Sequence, residues 1–198
     1  MATKTQARRE DLRSKLVTLA EATIAETGLA SLKARDLAKA ADCSVGAIYN
    51  VFKDLNGLIL HVNGVTFRRL GAQVTGAISG MDDTAPCERL IALSHAYLDF
   101  AQNNYRLWNA LFGIKMTTDS EIPDWYQQTL EDLFAHIHKP VAEIFPDMAS
   151  ANVHLMTRGL FSSVHGVVLL GLQQRVPVQD ISRMLTLILS NIGQNKVF

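Results

Sequence analysis

Residues Cys43 to Ile59 read CSVGAIYNVFKDLNGLI, a run of small side chains followed by a Tyr-Asn pair and a Phe. Ser44 is placed to cap a helix, its hydroxyl accepting from one of the free N–H groups of the first turn. Val45, Gly46 and Ala47 then make a first turn of short side chains, which lets the backbone come close to whatever it meets. Ile48 and Phe52, four apart, share one helix face and point into a core. Tyr49 and Asn50 face outward, and Lys53 closes the segment. A helix that enters the major groove of DNA needs this distribution. The phenol donates to a phosphate, the amide reads an adenine edge or a phosphate, and the ammonium pairs with a phosphate.

The flanking sequence gives that helix its partners. A short helix over Lys33 to Ala40 turns Leu37 and Ala38 inward, and the turn AADCS joins it to the helix from Val45 to Phe52. Two short helices so joined form a helix-turn-helix pattern. Before them, about Arg9 to Thr27, Leu12, Leu16, Leu19, Ala20, Thr23 and Ile24 line one face of a helix that stops at Gly28. After Asp54 a long helix runs to about Ile78, and the turn-rich stretch SGMDDTAP follows. Helical periodicity then continues over Pro86–Asn104, Tyr105–Ile114, Pro123–Phe145, Ala149–Gln173 and Pro177–Lys196. Pro86, Pro123 and Pro177 stand at helix starts, where a missing N–H costs least. Pro140 lies inside its helix and is expected to kink or break it. The loop KMTTDSEI is the best candidate for a mobile lid. The expected fold is all-α, about nine helices. A three-helix head (residues 1–55) is joined by a long helix to a larger helical body (56–198).

Composition sets the outer limits. With 48 % hydrophobic residues, 198 residues can build a substantial core, and a net charge of zero points to no bulk electrostatic partner. The charge is slightly uneven: residues 1–55 carry nine Lys/Arg against seven Asp/Glu, and the remainder ten against twelve. That asymmetry is compatible with a nucleic-acid module at the front. Two cysteines in different segments make a disulfide framework improbable and favour a reducing compartment. The N-terminal stretch MATKTQARREDLRSK has no apolar signal core, and the longest uncharged run, Gly159 to Gln174, falls short of a membrane span. The expectation is a cytoplasmic protein without a membrane partner.

The segment GLASLKARDLAKAADCSVGAIYNVFKDLNGLI resembles the DNA-binding head of the TetR/AcrR family of transcriptional repressors. Gly28, Arg35, Leu37, Ala38, Ser44, Gly46, Ile48, Tyr49, Phe52 and Leu58 sit at family-typical spacing. Three positions depart from the pattern. Lys33 stands where a Ser/Thr cap is frequent, so Lys33 and Arg35 are expected to hold phosphate by charge. Asp42 replaces the usual turn glycine, a position Asp tolerates because it can visit the left-handed region. Leu55 replaces a phosphate-contacting Lys at the start of the fourth helix, leaving Lys53 to compensate in part. The expected DNA-binding set is Lys33, Arg35, Ser44, Val45, Gly46, Ala47, Tyr49, Asn50 and Lys53.

The resemblance further implies that the body binds an inducer and forms a dimer. The stretches YRLWNALFG and FSSVHGVVLLGL look like the subgroup with a Trp- and His-Gly-containing C-terminal domain. Val178, Ile181, Leu185, Ile188 and Ile192 recur at 3-4 spacing, a narrow seam suited to a partner helix. Val153, Met156, Leu160, Val164, Val167 and Gly171 line the preceding helix beside the small residues Gly159, Ser163 and Gly166. Two helices from each copy make a four-helix interface, with Val153, Leu160, Val164, Val167, Gly171, Ile181, Leu185, Ile188 and Ile192 as its expected residues. The expected ligand site, lined by His95, Phe100, Trp108, Phe112, Met116, Trp125, Tyr126, His165 and Leu169 with Tyr97 and Phe134 nearby, suits a small hydrophobic or aromatic molecule. The same aromatic stripes also serve as ordinary core. His136 and His138, two residues apart, lie on different helix faces and make a poor metal pair. No nucleophile–base pair, phosphate-binding glycine loop or Cys/His ligand set is present, so neither an enzyme nor a cofactor is expected. The function read from the sequence is a homodimeric repressor released from a palindromic operator by such a ligand. The alternatives are a redox-responsive regulator acting through Cys43 and a helical enzyme or ligand carrier.

Overall fold

The computed structural model describes residues 4–114 and 122–192. Among these residues every regular element is helical: α1 (Lys4–Thr27), α2 (Ala34–Ala41), α3 (Val45–Val51), α4 (Leu55–Ala77), α5 (Pro86–Asn103), α6 (Tyr105–Ala110), α7 (Asp124–Ile144), α8 (Ser150–Leu172) and α9 (Val178–Ile192), with a short 3-10 turn at Leu29–Ser31. The all-helical class expected from periodicity is therefore the class found. α1 begins five residues ahead of the expected Arg9, because Lys4, Gln6, Ala7 and Arg8 are good helix formers without an apolar stripe to mark them. α7 runs through Pro140 without breaking. That proline lies one turn from the helix end, so its missing N–H removes a single late bond. Most of the loop KMTTDSEI, Met116 included, lies outside the described residues.

The chain forms two compact units, and neither is a single stretch of sequence. The first contains α1 to α3, α4 as far as Phe67, α6, and the start of α7 to Tyr126. Its core is built from Leu16, Ala20 and Ile24 of α1, Leu37, Ala38 and Ala41 of α2, and Ile48 and Val51 of α3 with Phe52 just beyond. Leu58, Ile59 and Val62 of α4 complete one side, and Leu107 and Ala110 of α6 another. Arg106 on α6 donates to the carbonyl oxygens of Ala25 and Glu26, thereby capping the C-terminal end of α1. This hydrogen bonding and the burial of Leu107 explain why α6 travels with the head.

The second unit contains α4 from Arg68, α5, α7 from Gln127, α8 and α9. α5 packs against α8 and α9, and these two pack on each other. Ile181, Leu185 and Leu189 of α9 are buried, as are Val153, Leu160, Val164 and Val168 of α8. Gly171 lets α8 come close to α9: a Cβ there would clash with Cδ1 of Ile181 and stand 2.6 Å from its Cγ1. Arg89 of α5, itself buried, forms a bidentate ion pair with Glu143 of α7. The guanidinium holds the Glu143 carboxyl below its ordinary value, and the carboxylate in turn raises Arg89. By length and composition α8 is apolar enough to cross a membrane, but its buried line is spent on α5 and α9.

Candidate nucleic-acid and effector sites

The helix-turn-helix is built by short-range forces that can be traced residue by residue. Lys33 is the N-cap of α2 and makes no side-chain capping bond, so the exposed ammonium is not consumed by the helix. α2 ends at Asp42, whose φ of 54° and ψ of 52° place it in the left-handed region. Its N–H closes on the last carbonyls of α2, and Cys43 N–H bonds Ala38 O at 2.9 Å. Lys15 on α1 donates to Ala41 O at 2.8 Å, putting a positive charge at the negative end of the α2 dipole. Ser44 then caps α3, its Oγ accepting from Ala47 N–H at 3.1 Å. Asp54 does the same for α4, accepting from Gly57 N–H at 2.7 Å.

Within α3 the two faces separate as the spacing requires. Ile48 is 0 % exposed and Phe52 2 %, whereas Tyr49 is 46 % exposed and Asn50 is also open to solvent. Gly46, Ser44, Lys53, Lys33 and Arg35 are exposed; Val45 and Ala47 are half-buried. Leu55 is half-buried against the head core and presents no charge, while Lys53, two residues before it, is exposed. Arg9 was not picked out by the sequence reading. Its guanidinium donates to Asn50 O at 2.9 Å and brings a second cation to the end of α3. Arg13, one turn on, lies over the Phe52 ring at 5.9 Å. Only the charge run ARREDLR hinted at them, and a periodicity argument cannot show which turn of α1 reaches α3. Cys43 is a free thiol, half-buried and packed against the head core.

The residues expected to line a ligand site divide between the two units. In the first, Trp108 and Tyr126 are fully buried, while Phe112 and Trp125 are partly exposed. Trp108 meets Phe112 edge-on at 5.7 Å, Tyr126 meets Phe67 at 5.6 Å, and Trp125 packs on His61, which in turn touches Phe52. In the second, Tyr97 Oη and His165 Nδ1 are 2.9 Å apart, and Phe161 stacks on the His165 ring. Burial lowers the His165 pKa, which favours the neutral ring. Phe134 packs edge-on against Phe161, and the Arg158 guanidinium lies over the Phe134 ring. Phe100 is buried and Leu169 half-buried. His95 instead faces α9, 3.3 Å from Thr186 Oγ1.

Residues 90–191, just over half of the chain, match the family model described as the tetracyclin repressor-like C-terminal domain. The chain belongs to the TetR family of transcriptional regulators. No curated protein matches its sequence. Solved structures with the same fold include a protein of unknown function from Rhodococcus sp. RHA1, at TM-score 0.73 and 22 % identity over 92 % of this chain and 94 % of that one. RolR in complex with resorcinol aligns at TM-score 0.69 and 18 % identity, covering 95 % and 94 %. The fatty acid degradation regulator FadR from Bacillus halodurans aligns at 0.65 and 14 %, covering 93 % and 96 %. At these identities the likeness carries the fold alone.

For this TetR-family regulator the expected dimer residues need a correction. Ile181 and Leu185 are 0 % exposed, and Val153, Leu160, Val164 and Gly171 are buried as well, all within one chain. The 3-4 seam that suggested a partner helix is the face α8 and α9 turn to their own unit. Val167, Ile188 and Ile192 are half-buried. The outward line runs instead through Leu155 (70 % exposed), Gly159, Ser162, Ser163 and Leu170 of α8, and Leu187 of α9. Periodicity finds a stripe but cannot say whether a partner or the same chain covers it. Among the described residues no group of three or more His, Cys, Asp or Glu side chains is placed to hold a metal ion. His136 lies 3.3 Å from Thr75 Oγ1, and His138 packs on His154.

Proposed function

We propose that this TetR-family regulator is a homodimeric cytoplasmic repressor that leaves a palindromic operator when a small hydrophobic or aromatic ligand binds its C-terminal region. The observation that carries the DNA half of this reading is the split of α3. Ile48 and Phe52 anchor it, while Tyr49, Asn50 and Lys53 are free to meet a duplex, with Arg9 beside them. Lys33, Arg35 and Lys53 serve as phosphate contacts, Ser44 to Ala47 make the close backbone approach, and Asn50 reads a base edge. The outward apolar line on α8 and α9 supports the dimer, since Leu155, Leu170 and Leu187 stay exposed among the described residues. Two copies would set their recognition helices about 34–36 Å apart, one turn of DNA. RolR, one of the structural neighbours, carries resorcinol, which supports a small aromatic as the ligand class.

The test is selection of duplex fragments by the purified protein, followed by sedimentation of the complex. A two-to-one complex on a site with dyad symmetry is expected. A monomer at micromolar concentration, with and without DNA, would overturn the reading.

A further inference from the structure

α3 has seven residues, too few for a helix to hold its own direction, so its ends must be fixed from outside. At its start the Ser44 cap does this. At its end the chain turns extended at Phe52 (φ −121°, ψ 128°), whose N–H still closes on Ile48 O at 2.8 Å. Lys53 follows directly and is exposed. Whatever holds the Phe52 ring therefore holds the root of Lys53. His61 on α4 meets that ring in a T-shaped pair, with centroids 5.1 Å apart. The imidazole is itself fixed within α4, where Nδ1 donates to Gly57 O at 2.8 Å. Trp125, in the first turn of α7, packs on His61 at 4.9 Å. Arg13 adds a hold from α1, its guanidinium lying over the Phe52 ring at 5.9 Å. Trp125 is 39 % exposed and lies outside the head core, so its contact with the half-buried His61 fixes a position more than it buries surface.

We infer that Trp125 is a positioning residue for operator binding: through His61 it braces the Phe52 end of α3 and so sets where Lys53 meets the DNA backbone. The inference rests on the operator-binding reading above and adds a residue that touches no DNA itself. All four side chains of the brace, Arg13, Phe52, His61 and Trp125, lie in the first unit. α7 leaves that unit after Tyr126, so the brace is built from the first turn of a helix whose remaining length belongs to the second. The three rings act in series. Removing Trp125 frees His61, and a freed His61 no longer holds Phe52.

The test compares full-length wild type, Trp125→Ala, Trp125→Phe, His61→Ala and the double alanine variant, first without DNA and then on the duplex that the wild type selects. Without DNA, NMR-resolved amide exchange at Phe52 should be about three- to tenfold faster in Trp125→Ala, with Leu16 and Ala20 of α1 unchanged. Trp125→Phe keeps a ring and should stay close to wild type. Unchanged exchange at Phe52, an equal acceleration at Leu16 and Ala20, or failure of Trp125→Ala to fold overturns the inference. On DNA, Trp125→Ala should bind about three- to tenfold more weakly. Its salt slope should fall by about one although no charge has been removed, because Lys53 is displaced. The double variant should lose no more than the worse single variant. Wild-type affinity in Trp125→Ala, an unchanged salt slope, or additive losses overturns the inference. Faster exchange at Phe52 in a protein that selects no duplex leaves the brace standing and refutes the repressor reading. Wild-type exchange in Trp125→Ala, where the wild type does select a duplex, does the reverse.

Discussion

Asn50 is held at its backbone by Arg9 and exposed at its amide, whereas Tyr49 and Lys53 have only their side chains to offer. The three are therefore expected to separate in a binding assay. Tyr49→Phe and Lys53→Ala should weaken binding to all duplexes alike, and Lys53→Ala should also lower the salt slope by about one. Asn50→Ala should relax preference at one base position by about 1–3 kcal/mol. Competition binding against a randomised operator checks both, and a uniform loss with Asn50→Ala would assign that side chain to the backbone. Helix α3 was legible in the sequence because its determinants are local: the Ser44 cap, the 48/52 spacing and the tolerance of Asp42 for a left-handed turn. Arg9 was not legible, since its role depends on which distant backbone it meets. Trp125 and Tyr126 show the same limit. Adjacent aromatics look alike in a string, yet one is 39 % exposed and the other sealed.

Helix contacts in the second unit carry two further expectations. Gly171→Ala gains about 1 kcal/mol of helix propensity but drives a methyl into Ile181, which is fully buried and cannot swing away. Overpacking of this kind costs about 1–3 kcal/mol, so the variant should melt lower than wild type. The Arg89–Glu143 pair joins α5 to α7, and its linkage to pH has a definite sign. Glu143 has a folded pKa below the ordinary 4.5, chiefly through its hydrogen bonds to Arg89. The stability it contributes is complete above 4.5 and is lost as pH falls through the lower folded value. Arg89 stays charged across that window. Because Glu143 is partly exposed, solvent screens the pair and the effect is modest. Glu143→Gln should flatten the acid limb of a melting-temperature profile below about pH 4.5 while also lowering stability at neutral pH. An identical acid limb in the variant would remove Glu143 from the account. Helix positions in the sequence were set by periodicity and prolines, but partners were not, which is why the Ile181–Leu185 stripe was assigned to the wrong neighbour.

For the molecule as a whole, the outward line of Leu155, Leu170 and Leu187 is expected to hold two copies together. Leu155→Glu combined with Leu187→Glu should yield monomers by sedimentation, with circular dichroism unchanged because neither side chain contributes to the core. A ligand that weakens operator binding must be weakened by operator to the same extent, typically 5–150-fold. Titration of one ligand with and without operator measures that factor, and equal affinities would leave the effector site uncoupled from the head. The capping of α1 by Arg106, together with the burial of Leu107 and Ala110 in the head core, bears on how such regulators are rebuilt. A chimaera made by cutting after residue 55 would transplant a head without its floor, since Leu58, Val62, Leu107 and Ala110 stay behind. The isolated fragment should lack the sharp tertiary signals of a folded domain. A working graft would have to carry two separate stretches of chain, so the first unit of this protein is not a detachable cassette.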